Sequence, residues 1–234
     1  MDKIYLVIIP ARGGSKGVKN KNIFPINGVP LISYTIKWLS NLSWLEHVVV
    51  STDSIEIMKI SSDLGIKKTE LRPVELSGDD VGDLPVLRHE LLQFESSTGI
   101  LIDFVIMLQP TSPIRFKKFI NDAARQLVDS GVQSLLSIKP VDLKYHPYKQ
   151  FKIINNELNL FDPMGLNIIR RQQLENTYIR DGVFYGFTRS FILDQNSKIA
   201  AKSGFIINPY PSINIDTFED IEDFTNYVSR NLVL

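Results

Sequence analysis

Pro10-Ala11-Arg12-Gly13-Gly14-Ser15-Lys16-Gly17 follows directly on a short apolar run, and Lys19, Lys21 and Asn22 come close behind it. Glycine lets a backbone approach an anion closely and turn amide hydrogens toward it, while guanidinium and ammonium groups neutralise its charge. The segment therefore reads as a cradle for a polyphosphate. The competing reading is a tight turn with solvated cations. It is disfavoured because the loop leaves a first strand, where open α/β sheets bind their ligands. The spacings Gly-x4-Gly-Lys-Ser/Thr and Gly-x-Gly-x-x-Gly are both absent, so the loop is neither a Walker A loop nor a dinucleotide fingerprint. At the far end of the chain, Asp216 stands just past an extended run and just before Thr217. It is the candidate ligand for Mg2+, a hard cation that takes one or two carboxylates and fills its shell with substrate oxygens. Capping of the following helix is the alternative role for that carboxylate.

These residues need a scaffold. The apolar run Ile4–Ile9 is a buried strand, too short to cross a bilayer. Pro30–Ser40 puts Leu31, Ile32, Ile36 and Leu39 on one helical face, and Val48–Val50 is the next strand. Asp53 or Ser54 can cap a helix through Ile57, Ile60 and Leu64, with Gly65 at its left-handed exit and a weak strand beginning at Ile66. Leu84–Ser96 is helical through Leu87, Leu91, Leu92 and Glu95, Phe104–Leu108 a buried strand, Phe119–Val128 a helix and Val132–Ile138 extended. Val183–Phe187 and Gly204–Asn208 are strands, and Phe218–Val228 is a last helix. Alternating strands and helices predict a doubly wound, three-layer, Rossmann-like α/β unit with ligands at the carboxyl ends of its strands. Between Lys139 and Ile179 the pattern loosens around Pro140, Pro147, Pro163 and an Asn155-Asn156 turn. This segment is expected to be a protruding hairpin subdomain within a single domain of residues 1–234.

Composition narrows the chemistry. Without cysteine there is no disulfide framework, thiolate metal site or cysteine nucleophile. Twenty-six basic residues balance 26 acidic ones, which argues against a whole-surface nucleic-acid binder. No stretch has the length of a membrane span and Asp2 sits where a signal peptide carries positive charge, so a soluble, cytoplasmic protein is expected. His47, His89 and His146 are too scattered for a metal site or a triad. Phe104, Phe116, Phe119 and Phe151 read as core, and Glu219, Asp220, Glu222 and Asp223 suit the positive end of the last helix.

The opening motif, with Lys21-Asn22-Ile23 behind it, resembles that of the acylneuraminate cytidylyltransferases, which make CMP-sialic acids and related CMP-nonulosonates. Further matches follow in order along nearly the whole chain: Ser51-Thr52-Asp53, Leu71 to Asp79, Leu108-Gln109-Pro110-Thr111-Ser112-Pro113, Arg171-Gln172-Gln173-Leu174, Arg180-Asp181-Gly182 and Ile213 to Thr217. The resemblance implies a nucleotide site of Ala11, Arg12, Gly13, Gly14, Ser15, Lys16, Lys21 and Asn22 around the triphosphate of CTP. In it Arg12 and Lys21 stabilise charge at phosphorus and on departing pyrophosphate, and Arg72 with Ser77, Gly78 and Asp79 meets cytosine and ribose. Gln109, Arg171 and Arg180 would contact the sugar, the two arginines pairing with its carboxylate or polar tail. A homodimer with exchanged arms is implied too. Many members carry Asp-x-Asp where this chain has Asn214-Ile215-Asp216, so one expected carboxylate is an amide and metal binding rests on Asp216 with Asn214 beside it.

The reaction so implied is attack by the anomeric hydroxyl of a nonulosonic acid, of the sialic, legionaminic or pseudaminic type, on the α-phosphorus of CTP, with pyrophosphate leaving. Its demands are positioning and charge neutralisation. A cation about 4 Å from a phosphate oxygen contributes on the order of 4 kcal/mol before desolvation is subtracted. Transfer to an octulosonic acid or a sugar phosphate, and nucleotide binding without turnover, are the competing functions. Nucleic-acid and membrane partners are not expected.

Overall fold

The computed structural model describes residues 3–15, 17–66, 71–194, 198–199 and 203–231. They divide into one unit of Met1–Ser137 with Asp181–Leu234 and a second of Ile138–Arg180. The strands are β1 (Tyr5–Pro10), β2 (Pro25–Ile26), β3 (Val29–Pro30), β4 (His47–Ser51), β5 (Phe104–Met107), β6 (Ser134–Pro140), β7 (Phe151–Ile154), β8 (Glu157–Leu160), β9 (Tyr178–Thr188) and β10 (Ser203–Ile207). The helices are α1 (Leu31–Trp38), α2 (Ile55–Asp63), α3 (Asp83–Thr98), α4 (Lys117–Asp129), α5 (Arg189–Asp194) and α6 (Phe218–Asn231).

Six strands form one sheet in the order β10-β6-β9-β5-β1-β4. β1 runs parallel to both β4 and β5, and β9 is antiparallel to β5. The unbroken apolar run of β1 is what a strand covered on both faces requires. Val7 and Ile9 point into a cluster with Ile32 and Ile36 of α1, Ile57 of α2 and Phe119, Ile120 and Leu127 of α4. Leu6 and Ile8 point the other way, to Leu84, Leu87 and Leu91 of α3 and Phe191 of α5. This is the expected three-layer arrangement. From β1 the chain first reaches β4 on one side and later β5 on the other, which opens a crevice at the carboxyl ends of these strands.

A third cluster joins Ile221, Phe224 and Val228 of α6 to Val18, Ile26, Leu31 and Ile215. It anchors the residue after Gly17 and the residue before Asp216 in one apolar body. Pro30 is the residue preceding α1, and β2 and β3 form a small hairpin through Asn27 and Gly28, both at positive φ as a two-residue turn requires. Ser54 caps α2 by accepting from the Ile57 amide, and Gly65 leaves it at φ 90°. Ile66, the expected start of a weak strand, is in no strand, and residues 67–70 lie outside the described ones. Leu92 is an exception to the expected apolar face of α3, because it lies on the solvent side of that helix. In the second unit, β7 and β8 form a hairpin turning at Asn155 and Asn156, both at positive φ. Phe151, read as core from its type alone, is 57% exposed there, since all of β7 faces solvent. Phe104 and Phe119 are buried in the sheet cluster.

Candidate active site

Pro10 ends β1 within the sheet, and the Ala11 amide adds one more bond beyond it, donating to the Ser51 carbonyl at 2.8 Å. The chain then bends away. Gly13 N–H donates to Asp53 Oδ1 at 2.7 Å, and Asn22 Nδ2 donates to the Arg12 carbonyl at 2.9 Å. Both ends of the bend are thus tied to side chains. Gly17 is required by proximity: a Cβ there would sit 2.7 Å from the Asp216 carbonyl oxygen. Ile215 N–H bonds to the Thr111 carbonyl at 2.8 Å, which brings the segment before α6 alongside the loop after β5.

Lys21 is 9% exposed, and its ammonium donates to the Ile215 carbonyl at 2.7 Å and to Asp216 Oδ1 at 2.8 Å. Of the three donors of an ammonium, one is left for a ligand by these two bonds. Asp216 Oδ2 accepts from Asn214 Nδ2 at 2.6 Å, while Asn214 Oδ1 accepts from Ser112 Oγ at 3.3 Å. The side chain of Asp216 is not the cap of α6. That role falls to Thr217 and Asp220, whose carboxylate accepts from the Asp216 and Thr217 amides at 2.9 and 2.7 Å. Burial works against the charge of Asp220, but these amides and the Thr217 hydroxyl outweigh it and lower its pKa. Across the bend, Arg12 Nη1 pairs with Asp79 Oδ1 at 2.5 Å.

Arg72 is buried below this layer. Its Nε donates to Ser51 Oγ at 2.9 Å and its Nη2 to the Ser51 carbonyl at 2.7 Å, and burial lowers its pKa against the opposing charges of Asp53 and Glu90. On the other wall, Arg115 Nη2 holds the Gln109 carbonyl at 2.6 Å and Nη1 holds Thr35 of α1 at 3.0 Å. Burial pulls the Arg115 pKa down to about 9, with Asp181 opposing. Asp181 itself accepts from Ser137 Oγ, from Asn208 Nδ2 at 2.6 Å and from the Val183 amide at 3.2 Å. Next to it Gly182, at φ 75°, fits only because it lacks a Cβ, which would lie 2.2 Å from Ser112 Oγ and 3.2 Å from Gln109 Oε1.

These parts enclose a cavity of about 500 Å³ at the crevice, within the size range of small-molecule sites. Arg12, Ser15, Lys21, Asn22, Arg72, Gly78, Asp79, Gln109 and Asp216 all line it. Ala11 is buried behind the wall and Ser77 bonds back to the Pro73 carbonyl. Gly13 has its amide committed to Asp53, Gly14 has open space around its Cα, and Asn214 stands behind Asp216. Lys16 lies outside the described residues. Arg171 and Arg180 belong to the second unit, where both are exposed. Sequence reasoning missed Glu90, Arg115, the part of Ser51 as a ligand of Arg72 and the network around Asp181, because spacing does not show which side chains meet when distant elements pack. Arg115 alone offered a local signal, a cation three residues past Ser112 in an otherwise apolar stretch.

The described cavity wall is charge-balanced, with Arg12, Lys21 and Arg72 against Asp79, Asp83 and Asp216. No group of three His, Asp or Glu side chains able to hold a metal ion is gathered among the described residues. Asp216, its side chain 65% exposed and opening onto the cavity, suits a cation that substrate oxygens complete, and does not suit an all-protein cage.

The family model described as Cytidylyltransferase matches residues 6–231. The CMP-N,N'-diacetyllegionaminic acid synthase of Campylobacter jejuni is 31% identical over 218 residues, covering 93% of this chain and 92% of the relative. The pseudaminic acid cytidylyltransferase of the same organism is 31% identical over 219 residues, covering 93% of each. Among solved structures, a CMP:2-keto-3-deoxy-manno-octonic acid synthetase complexed with CTP aligns over 98% of this chain and 99% of its own, with a TM-score of 0.71 at 16% identity, a likeness of fold. Motifs, fold and relatives agree that this chain belongs to the cytidylyltransferase family, and it is a nucleotidyltransferase.

Proposed function

We propose that the chain transfers CMP from CTP to the anomeric hydroxyl of a nonulosonic acid of the sialic, legionaminic or pseudaminic type, with release of pyrophosphate. The observation that carries this reading is the single cavity lined by Arg12, Lys21, Arg72, Gln109 and Asp216. The triphosphate lies along the bend after β1, with Ser15 and Lys16 on its oxygens. Arg12 leaves Asp79 to meet the phosphate, and the free donor of Lys21 meets an oxygen of the reacting phosphoryl group. Both cations offset the charge that grows as the sugar oxygen bonds to the α-phosphorus and the bond to pyrophosphate breaks. Arg72 and the turn of Ser77, Gly78 and Asp79 take the nucleoside end. Gln109 faces the sugar, and Arg171 and Arg180 pair with its carboxylate or tail. Members of a homodimer exchange their second units to complete each site.

Magnesium belongs in this reading because a triphosphate entering a charge-balanced cavity brings uncompensated charge. Asp216 would hold the ion together with phosphate oxygens, and the amide of Asn214 would have to turn over to add its own oxygen. When bound, the ion neutralises phosphate charge and draws electron density from the phosphorus. The legionaminic and pseudaminic acid enzymes among the relatives favour a nonulosonic acceptor over an octulosonic one. Incubation of purified protein with CTP, magnesium and a panel of these acids, read by pyrophosphate release, should give turnover with at least one of them. Pyrophosphate from none, with turnover on an octulosonic acid or a sugar phosphate, would transfer the assignment to that acceptor.

A further inference from the structure

Glu90, in the middle of α3, is a carboxylate only 1% exposed, and the reaction as described gives it nothing to do. Burial of an ionised group without a partner is expensive, so its surroundings deserve an account. Ser51 Oγ, fully buried at the end of β4, donates to Glu90 Oε1 at 2.5 Å. The same oxygen accepts from Arg72 Nε at 2.9 Å. One hydroxyl thus bridges a buried carboxyl group and a buried guanidinium. Among the described residues, Arg72 is held along one edge by Ser51, through Oγ and the carbonyl. Its Nη1 meets the Leu76 carbonyl at 3.5 Å, and both residues border the cavity. The guanidinium therefore has one anchored edge and one edge toward the ligand space.

We infer that Glu90 is a positioning residue which, through Ser51 Oγ, fixes the orientation of Arg72 and thereby sets the affinity of the cavity for the nucleoside end of the nucleotide and not for its phosphates. The inference rests on the CTP-site reading above. Glu90 reaches no ligand. Through Ser51 it acts on Arg72, whereas Arg12, Lys21 and Asp216 are held by separate bonds to Asp79, Ile215 and Asn214.

Calorimetric titration of the full chain with CTP and with inorganic tripolyphosphate, both with magnesium, separates the two ends. For Glu90→Gln and for Ser51→Ala the Kd for CTP should rise about tenfold, the scale of a lost charge-assisted hydrogen bond. The double variant should be no weaker than the worse single one, as for residues that act as one unit. Tripolyphosphate affinity should stay within about twofold, a selectivity that general loosening of the fold would not produce. Folded Glu90→Gln that binds CTP like the wild type, or that loses both ligands equally, overturns the inference alone. Wild-type protein that binds no CTP overturns the nucleotide site and the inference with it. Should the variants not fold, the wild type supplies the answer by NMR. The Nε–H resonance of Arg72, assigned through Arg72→Lys, should be protected from solvent exchange without ligand and should move with CTP but not with tripolyphosphate. A resonance exchanging at the solvent rate, or moved equally by both, overturns it.

Discussion

Gly17 and Asp216 constrain one another, because the backbone of the first lies where the carbonyl of the second needs to be. A Cβ 2.7 Å from the Asp216 oxygen must push that segment away, and the Lys21–Asp216 contact moves with it. Gly17→Ala is therefore expected to cost about 1–3 kcal/mol in stability, as overpacking does, and to lower kcat as well. Thermal denaturation and steady-state turnover measure the two effects. Arg12→Ala is expected to separate them. Arg12 and Asp79 are both about one-third exposed, and a surface pair of this kind is worth about 0–1 kcal/mol, so Tm should hardly change. Turnover should fall by about 10²–10³, the scale for a lost group that stabilises transition-state charge. Normal turnover would remove Arg12 from the reaction. At this scale the sequence is most informative where residue type and chemistry coincide. Arg12, Lys21 and Arg72 are cations beside glycines or turns, and all three reach the cavity. It is silent on Ser51 and Glu90, whose types are ordinary in a strand and a helix and whose significance arises only when β4, α3 and the chain at Arg72 meet. Asp216 was ambiguous for a similar reason. Whether it or Asp220 caps α6 depends on side-chain direction, which spacing does not encode.

The elements were legible in proportion to their hydrophobic periodicity. β1, β5, α1 and α4 carry strong patterns and stand within one or two residues of where those patterns put them. The β2–β3 hairpin was not anticipated, because two-residue strands have no period to detect and only Asn27-Gly28 hints at the turn. Leu92 shows the limit of the method, since a helix with apolar residues at adjacent positions must turn one of them to solvent. Two ties between elements yield predictions. At the start of α6, Thr217 Oγ1 accepts from the Asp220 amide and donates to its carboxylate. Thr217→Ala should cost about 1 kcal/mol, the usual loss for such a cap, measurable by urea denaturation. Where α3 ends, Glu95 takes two bonds from Arg189, at 2.8 and 2.9 Å, joining α3 to α5. These bonds from Arg189, against some burial, lower the Glu95 pKa. A group depressed on folding stabilises above its unfolded pKa, about 4.3 for glutamate, and loses that contribution as pH falls through its folded value. Wild-type Tm should therefore drop below about pH 4.3 more steeply than that of Glu95→Gln, which should already be lower at neutral pH.

For the molecule as a whole, the net charge is zero and no helix among the described residues is long and apolar enough to cross a membrane. The second unit exposes large apolar side chains. Ile153, Leu158, Leu166 and Ile169 are all more than two-thirds exposed, with Phe151 and Phe161 more than half exposed, within a segment of about forty residues. Concentration of large apolar side chains on so short a stretch is unusual for a surface that meets only water. The loosened pattern between Lys139 and Ile179 marked this segment as different in kind, but period and composition give no sign of what covers it, because an interface side chain and a core side chain are chosen by the same physics. The homodimer proposed above makes a definite demand on these residues. Ile153→Asp and Ile169→Asp, placed on the hairpin and beyond it, should each shift sedimentation from dimer toward monomer, since a charge at a desolvated interface has no partner to replace water. The thermal transition of the larger unit should stay within a few degrees, because neither residue belongs to it. If the second units complete the sugar site in the partner, the monomeric variants should keep CTP affinity and lose turnover. A wild-type chain that sediments as a monomer at micromolar concentration, and turns over nevertheless, would place the whole reaction within one copy.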